Sequence, residues 1–155
     1  MRPKTLASTG GAVFVTALAG GLASRPAEST WYARLKKPSF QPPRQVFPIV
    51  WPILYADIAA VSAATLDDLR NQDRAYTALL AVNLVLNASW TWLFFTRRQL
   101  GASAVAAAAL TASSADLTRR AVAAHGPSAG ALVTYTAWCA FATVLSTRIW
   151  QLNRD

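Results

Sequence analysis

Five long stretches of the chain are apolar and almost free of charge. Residues 5–24, 75–96 and 128–147 contain no Asp, Glu, Lys or Arg, whereas 45–66 contains only Asp57 and 99–118 only Asp116. Each stretch is at least as long as the roughly 20 residues of α-helix that cross about 30 Å of hydrocarbon. The pattern predicts an all-α integral membrane protein, a bundle of five transmembrane helices forming one domain over residues 1–155.

We place the predicted helices near residues 6–23, 46–66, 76–95, 100–123 and 128–152 and number them one to five. The long connection near 25–44 is called loop 1, and Pro38, Pro42 and Pro43 prevent it from forming one continuous helix. The remaining links are short, so consecutive helices are expected to be antiparallel neighbours. Residues 1–24 also fit a cleavable signal peptide, because Arg2 and Lys4 precede an apolar run that ends in small residues.

Composition and charge agree with a membrane location. The chain is 54% hydrophobic and 14% charged, against about 25% charged residues in soluble domains. The net charge of +8 comes from basic residues at the ends of the apolar stretches, which favours a topology signal over nucleic-acid binding. More of these residues fall on the side of loop 1 and the C-terminus, so that side is predicted to be cytoplasmic. Nucleotide-binding glycine motifs, metal-ligand spacings and hydrolase triads are missing from the sequence, and neither a metal nor a required cofactor is expected.

Three predicted helices carry aromatic and polar residues along one face at helical spacing. An amide in a membrane helix must avoid lipid, because an unpaired polar group in hydrocarbon is costly. Such residues can serve as hydrogen bonds between helices or as the lining of a shared pocket, and both readings stay open. The stripes are Trp51, Tyr55 and Ser62 on helix two, Asn83, Asn87, Trp90 and Phe94 on helix three, and Tyr135, Trp138, Ala142, Leu145 and Ser146 on helix five.

The segment 31–55, WYARLKKPSFQPPRQVFPIVWPILY, adds a specific pattern that periodicity alone does not generate. It resembles the first loop and second helix of the translocator protein/tryptophan-rich sensory protein family. The resemblance continues at Asn87, Trp90, Phe94-Phe95, Tyr135, Trp138 and Asn153, and is weakest in helix four. It implies that residues 6–23 are kept as the first helix. The chain departs from the family at Thr134 and Ser146, and Thr147 replaces the Tyr of a sterol-type pattern, so sterol handling is not carried over from the family.

The resemblance implies a cavity between the helices, closed by loop 1, of a kind associated with porphyrins, haem, sterols and benzodiazepine-type ligands. The leading hypothesis is a membrane receptor or carrier for hydrophobic tetrapyrroles, with porphyrin or haem as ligand. Basic residues of loop 1 (Arg34, Lys36, Lys37 and Arg44) are candidates to meet propionates. The expected ligand-binding residues are Trp31, Tyr32, Trp51, Tyr55, Asn83, Asn87, Trp90, Phe94, Tyr135, Trp138 and Ala142.

Two other functions remain open. In an enzyme that degrades porphyrin under light, an excited porphyrin can oxidise a nearby indole, and the family resemblance implies that Trp31 and Trp138 would be the catalytic residues. In a dimeric membrane scaffold or sensor, the Gly10-Gly11 and Gly20-Gly21 pairs and the small residues of helix four would support helix contact. The chain is expected to lie in a lipid bilayer and to form a homodimer.

Asp57 does not belong to the family pattern. It lies roughly 160–200° around helix two from Tyr55, so we expect it outside the aromatic stripe, facing helix one or five, neutral and hydrogen-bonded. Its replacement by Leu would then leave a partner unpaired. Asp116 is expected to pair with Arg120, four residues later. Cys139 is expected to be a packed thiol.

Overall fold

The computed structural model describes residues 2–25, 29–69 and 74–154. Helices account for its regular structure, and five of them are long and apolar enough to cross a membrane. The predicted all-α bundle with five spanning helices is therefore confirmed. Its helices are α1 (Pro3–Ala23), the short α2 (Thr30–Arg34) inside loop 1, α3 (Val46–Asp68), α4 (Arg74–Thr91), α5 (Leu100–His125) and α6 (Leu132–Leu152).

The helix ends follow from local chemistry as well as from hydropathy. Helix α1 begins three residues earlier than predicted, because Pro3 suits the first turn of a helix. Ser29 caps α2 by accepting a hydrogen bond from the backbone N–H of Tyr32. Helix α5 ends at His125 because Gly126 has a φ of 77°, which a glycine adopts without steric cost. Two turns of different width extend the helices. A wider, π-helical turn at Trp92–Thr96 follows α4, and a tighter, 3₁₀ turn at Pro127–Ala131 precedes α6.

The packing order differs from the chain order. Helix α1 packs against both α3 and α4, α5 packs against α4 and α6, and α3 and α4 have few contacts with each other. The expectation that consecutive helices are neighbours is therefore wrong for α3 and α4. The reason is that α1 buries one face of compact side chains against the other helices. The buried residues of this face are Thr5, Thr9, Val13, Thr16 and Gly20.

Helix α1 is an integral part of the bundle. The hydroxyl of Thr9 donates to the carbonyl oxygen of Ala59 in α3 at 3.2 Å, in addition to a bond within its own helix. The side chain of Tyr55 also lies against α1, 3.6 Å from the position that a Cβ of Gly20 would occupy. These contacts favour the helix interpretation of the first apolar stretch over the signal-peptide alternative.

Carboxylates bind cations at the end of the bundle opposite loop 1. Arg2 and Asp67 join α1 to α3 with a distance of 3.1 Å between Nε and Oδ1. Asp116 accepts from Arg120 at 2.9 Å, which confirms that predicted pair, and it also binds Arg119. The ring of His125 contacts the carboxylate of Asp68 and so connects the ends of α5 and α3.

At the loop 1 end, cations lie over aromatic rings. A charged group over the face of an indole or phenol ring is attracted by the ring quadrupole and remains open to the membrane surface. The four pairs, with their distances to the ring centroid, are Lys37 over Tyr32 (4.6 Å), Arg97 over Trp92 (4.5 Å), Arg98 over Trp31 (5.1 Å) and Arg154 over Trp150 (6.0 Å).

Loop 1 is fastened to the end of α6. The backbone N–H of Lys36 donates to Asn153 Oδ1 at 2.9 Å, and Asn153 Nδ2 donates back to the carbonyl oxygen of Lys36 at 2.9 Å. Asn153 also donates to the carbonyl of Ile149 in α6. Loop 1 and the C-terminal segment therefore lie at the same end of the bundle.

Gly101 allows α5 and α6 to approach closely. A Cβ at this position would lie 3.1 Å from Nε1 of Trp150, so a larger side chain displaces the indole. We expect Gly101→Leu to lower the free energy of unfolding by about 1–3 kcal/mol. Thermal unfolding in detergent measures this loss. Gly11→Leu is the control, because a Cβ at Gly11 meets no described atom within 4 Å, and equal stability of the two variants would contradict the prediction.

Candidate ligand-binding cavity

A cavity of about 910 Å³ lies between α1, α3, the end of α4 and α6, below loop 1. Its volume is within the range of about 300–1,000 Å³ that is typical of small-molecule sites. Its lining is mostly apolar and aromatic, with contributions from Phe14, Ala17, Gly20, Tyr32, Phe47, Trp51, Tyr55, Trp90, Phe94, Phe95, Leu145 and Ile149.

Three aromatic rings form one wall of the cavity, and the central ring, Trp51, contacts the other two. The ring of Trp51 lies 5.4 Å from that of Tyr55 and 5.9 Å from that of Trp90, measured between centroids. The interplanar angles of 30° and 35° show that both contacts are tilted, between stacked and edge-to-face. Trp90 is fixed in orientation, because its Nε1–H donates to the hydroxyl of Ser146 at 3.1 Å. The wall is therefore a broad, pre-oriented π surface.

Loop 1 covers one end of the cavity through Tyr32. The Tyr32 ring packs on Phe94 and Phe95 at 6.3 and 5.5 Å, and its hydroxyl accepts from Gln41 Nε2 at 3.2 Å. Burial of the ring raises the pKa of Tyr32 above its ordinary value. The phenol therefore stays neutral at physiological pH. Trp31 lies behind this cover, 6.4 Å from Phe94.

Behind the aromatic wall, the two asparagines of α4 form a continuous hydrogen-bonded network. Asn87 accepts from the hydroxyl of Tyr55 at 2.9 Å and donates to that of Tyr135 at 3.3 Å. Tyr135 donates onward to Asn83 at 2.8 Å, and Asn83 donates to Ser114 at 3.1 Å. Both amides are fully buried. The network ties α3, α4, α5 and α6 together, and Tyr55 is the member that also faces the cavity.

The structure brings five of the expected ligand-binding residues to the cavity surface, namely Tyr32, Trp51, Tyr55, Trp90 and Phe94. The other six do not line it. Asn83, Asn87 and Tyr135 are occupied by the network, and Ala142 is buried in the cluster that packs around Trp90. Trp31 lies behind the cover, and Trp138 packs on Phe47 and Phe141 at 5.9 and 5.5 Å.

The contribution of α1 to the cavity could not be read from aromatic patterns. Its lining residues are mostly small, and only the helical spacing of Gly10, Val13, Ala17 and Gly20 marks them as one face. The basic residues also differ from expectation. Arg25 and Arg44 lie at the cavity, whereas Arg34, Lys36 and Lys37 do not line it. The ammonium group of Lys37 instead donates to the carbonyl of Tyr32 at 2.6 Å.

Asp57 lies outside the cavity lining, as predicted from its angle to Tyr55. It is half-buried, and Ile53 and Ala60 on the same helix are exposed. Its carboxyl group makes no hydrogen bond within the part of the chain that the structure describes, so the expectation of a hydrogen-bonded partner is wrong. The reason is its position at the edge of the outward face of α3.

This position reverses the expected effect of replacing Asp57. A carboxyl group near the middle of a membrane helix costs about 2.5–3.5 kcal/mol on insertion scales, and Leu removes that cost without leaving a partner unpaired. We expect Asp57→Leu to unfold in detergent at the same temperature as the parent protein or a higher one. Asp57→Asn, which keeps a polar group, serves as the control. A clear loss of stability in Asp57→Leu alone would reveal a structural partner.

These features define an integral multi-pass membrane protein with an aromatic cavity inside its helix bundle. The model of the TspO/MBR family matches residues 9–151, so the chain belongs to the TspO/MBR family. It is 36% identical over 128 residues to the translocator protein of Ovis aries, covering 80% of this chain and 75% of that one. It is 33% identical to the tryptophan-rich protein TspO of Chlorobaculum tepidum over 96% of both chains, and 27% identical to that of Bacillus cereus over 83% and 84%.

Proposed function

We propose that this protein is a membrane receptor or carrier that binds flat hydrophobic tetrapyrroles, porphyrin or haem, in the cavity. The observation that carries the proposal is the wall of Trp51, Tyr55 and Trp90, in which Trp51 contacts both other rings at interplanar angles of 30° and 35°. A flat conjugated macrocycle gains dispersion and stacking energy over the whole of such a surface. The cavity volume of about 910 Å³ is sufficient for a ligand of this class.

Charge at the cavity supports the same ligand class. Arg25 and Arg44 line it and are exposed at the loop 1 end. A guanidinium group binds a carboxylate through charge-assisted hydrogen bonds that can be bidentate. Two arginines therefore suit the propionate groups of a tetrapyrrole whose ring lies deeper, against Trp51.

Among the described residues, the imidazole and the thiol, two of the usual axial ligands of haem iron, lie away from the cavity lining. His125 contacts Asp68 at the far end of the bundle, and Cys139 is buried beside Ser114. Binding through ring stacking and carboxylate contacts does not use the iron. Metal-free porphyrin and haem are therefore expected to bind with similar affinity.

A titration with protoporphyrin IX tests the proposal. We expect Trp51→Leu to weaken binding about tenfold, since loss of a stacked aromatic contact of about 1–1.5 kcal/mol corresponds to that factor. The shift of the porphyrin Soret band in detergent measures affinity without relying on tryptophan emission. Trp92→Leu is the matched control, because Trp92 lies outside the cavity lining. Equal affinity of both variants and the parent protein would refute the assignment.

Photo-oxidative degradation of the bound porphyrin is the second candidate function. The observation that favours it is the presence of two indoles, Trp51 and Trp90, on the proposed binding wall. Trp31 contacts the lining residue Phe94, but neither Trp31 nor Trp138 lines the cavity itself. If reaction needs direct contact, illuminated loss of porphyrin absorbance should be slower in Trp90→Phe than in Trp31→Phe or Trp138→Phe. Equal loss in the parent protein and the three variants would exclude these three indoles as reactants.

Orientation and assembly complete the proposal. Loop 1 and the C-terminal segment lie at one end of the bundle, and the larger number of basic residues there supports a cytoplasmic location for that end. A homodimer is supported by the small residues on the outward face of α5, which include the exposed Ala102, Ala109 and Ala112 and would allow a second helix to approach closely.

A further inference from the structure

Part of the cavity lining faces outward, toward the bilayer. Phe14 is 62% exposed although it lines the cavity, and the other outward lining residues within the spanning helices are Gly21, Pro48, Pro52 and Ala56. All of them belong to α1 or α3, and none carries a polar side chain. We call the opening that they border the α1–α3 slot.

The two helices that border the slot meet at the end away from loop 1. Arg2 binds Asp67, and Thr9 binds the backbone of Ala59, so the first half of α1 lies on the second half of α3. The opposite halves border the cavity, from Gly10 to Arg25 on the α1 side. On α1 the outward lining residues run from Phe14 to Gly21, about 10 Å at 1.5 Å per helical residue, so the slot extends from the hydrocarbon toward the loop 1 end, where Arg25 lies.

The loop 1 side of the cavity has the opposite character. Tyr32 packs on Phe94 and Phe95 above the cavity. Asn153 holds the backbone of Lys36 through two hydrogen bonds, and Lys37 donates to the carbonyl of Tyr32. Ligand passage through this cover would require these contacts to break. Passage through the slot requires only the displacement of lipid chains and of the exposed Phe14 side chain.

We infer that ligands reach the cavity sideways from the bilayer, through the α1–α3 slot. The inference rests on the proposed function, and it adds the route by which a ligand enters and the amphiphilic class to which the ligand belongs. The slot suits an amphiphile oriented like the surrounding lipids, whose apolar body enters between Phe14 and Ala56. Its anionic group stays at the membrane surface beside Arg25 and Arg44, where guanidinium groups bind carboxylates.

Two small residues make the slot testable. A Cβ at Gly21 meets no described atom within 4 Å, so a larger side chain there extends into the slot without a clash. Ala56 borders the slot from α3 and is also exposed. The matched controls are Gly11, which has open space around it, and Ala60, which is exposed on α3; neither lines the cavity.

The experiment measures protoporphyrin IX exchange by stopped flow, with the full chain in lipid nanodiscs and the porphyrin already dissolved in acceptor or donor membranes. For Gly21→Leu and for Ala56→Leu we expect association and dissociation rates to fall together by about tenfold, because an obstruction raises the barrier in both directions. Gly11→Leu and Ala60→Leu should keep the parental rates. Phe14→Ala should accelerate both rates, because it widens the slot.

A covalent restraint on loop 1 tests the alternative route, in which ligands pass through the loop 1 cover. In a Cys139→Ser background, Lys36→Cys and Asn153→Cys are joined by a short bifunctional thiol reagent, which replaces their hydrogen bonds by a covalent link. Exchange rates that survive this link support the slot. Exchange that is abolished by the link but unaffected by Gly21→Leu would overturn the inference, while porphyrin binding itself would still stand. If the parent protein binds no protoporphyrin IX, the proposed function fails first.

Discussion

The bundle depends on the requirement that polar groups in hydrocarbon find partners inside the protein. Asn83 and Asn87 meet it by bonding to Tyr55, Tyr135 and Ser114, at distances of 2.8–3.3 Å. These bonds connect four of the five spanning helices, and each would leave a buried donor or acceptor unpaired if its helix moved. The aromatic wall rests on this network, because Tyr55 belongs to both. The position of the cavity is thus a consequence of how the amides are satisfied.

Much of the fold could be predicted, because its strongest signal is simple. Apolar stretches separated by charged residues locate spanning helices through length alone, and Asp116 and Arg120 could be paired from their spacing. It was harder to predict which helices pack against each other. Hydropathy does not record which helix face packs where, so the contact of α1 with α4 and the scarcity of contacts between α3 and α4 were missed. The π-helical turn at Trp92–Thr96 also has no signature in a period of 3.6 residues.

The candidate site was predicted in part, for a related reason. Aromatic residues at helical spacing identified the wall of Trp51, Tyr55 and Trp90, since large rings with polar edges rarely face lipid at that depth. The same spacing could not separate a residue that lines a cavity from one that lies behind it. Asn87 and Tyr55 share a hydrogen bond, yet only Tyr55 lines the cavity. Small residues such as Gly20 and Gly21 gave no chemical signal, although they shape the opposite side.

Cations make different contacts at the two ends of the bundle, so the two ends should respond differently to ionic strength. The ion pair of Arg2 with Asp67, where the arginine side chain is about half exposed, loses part of its attraction as salt screens it. Arg97 and Arg98 instead rest on indole faces, where the attraction is to a ring quadrupole rather than to a net charge and acts over a shorter distance. Raising the salt concentration should therefore loosen the meeting of α1 and α3 before it affects loop 1. The salt concentration at each membrane surface should therefore affect mainly the end of the bundle that lies at that surface.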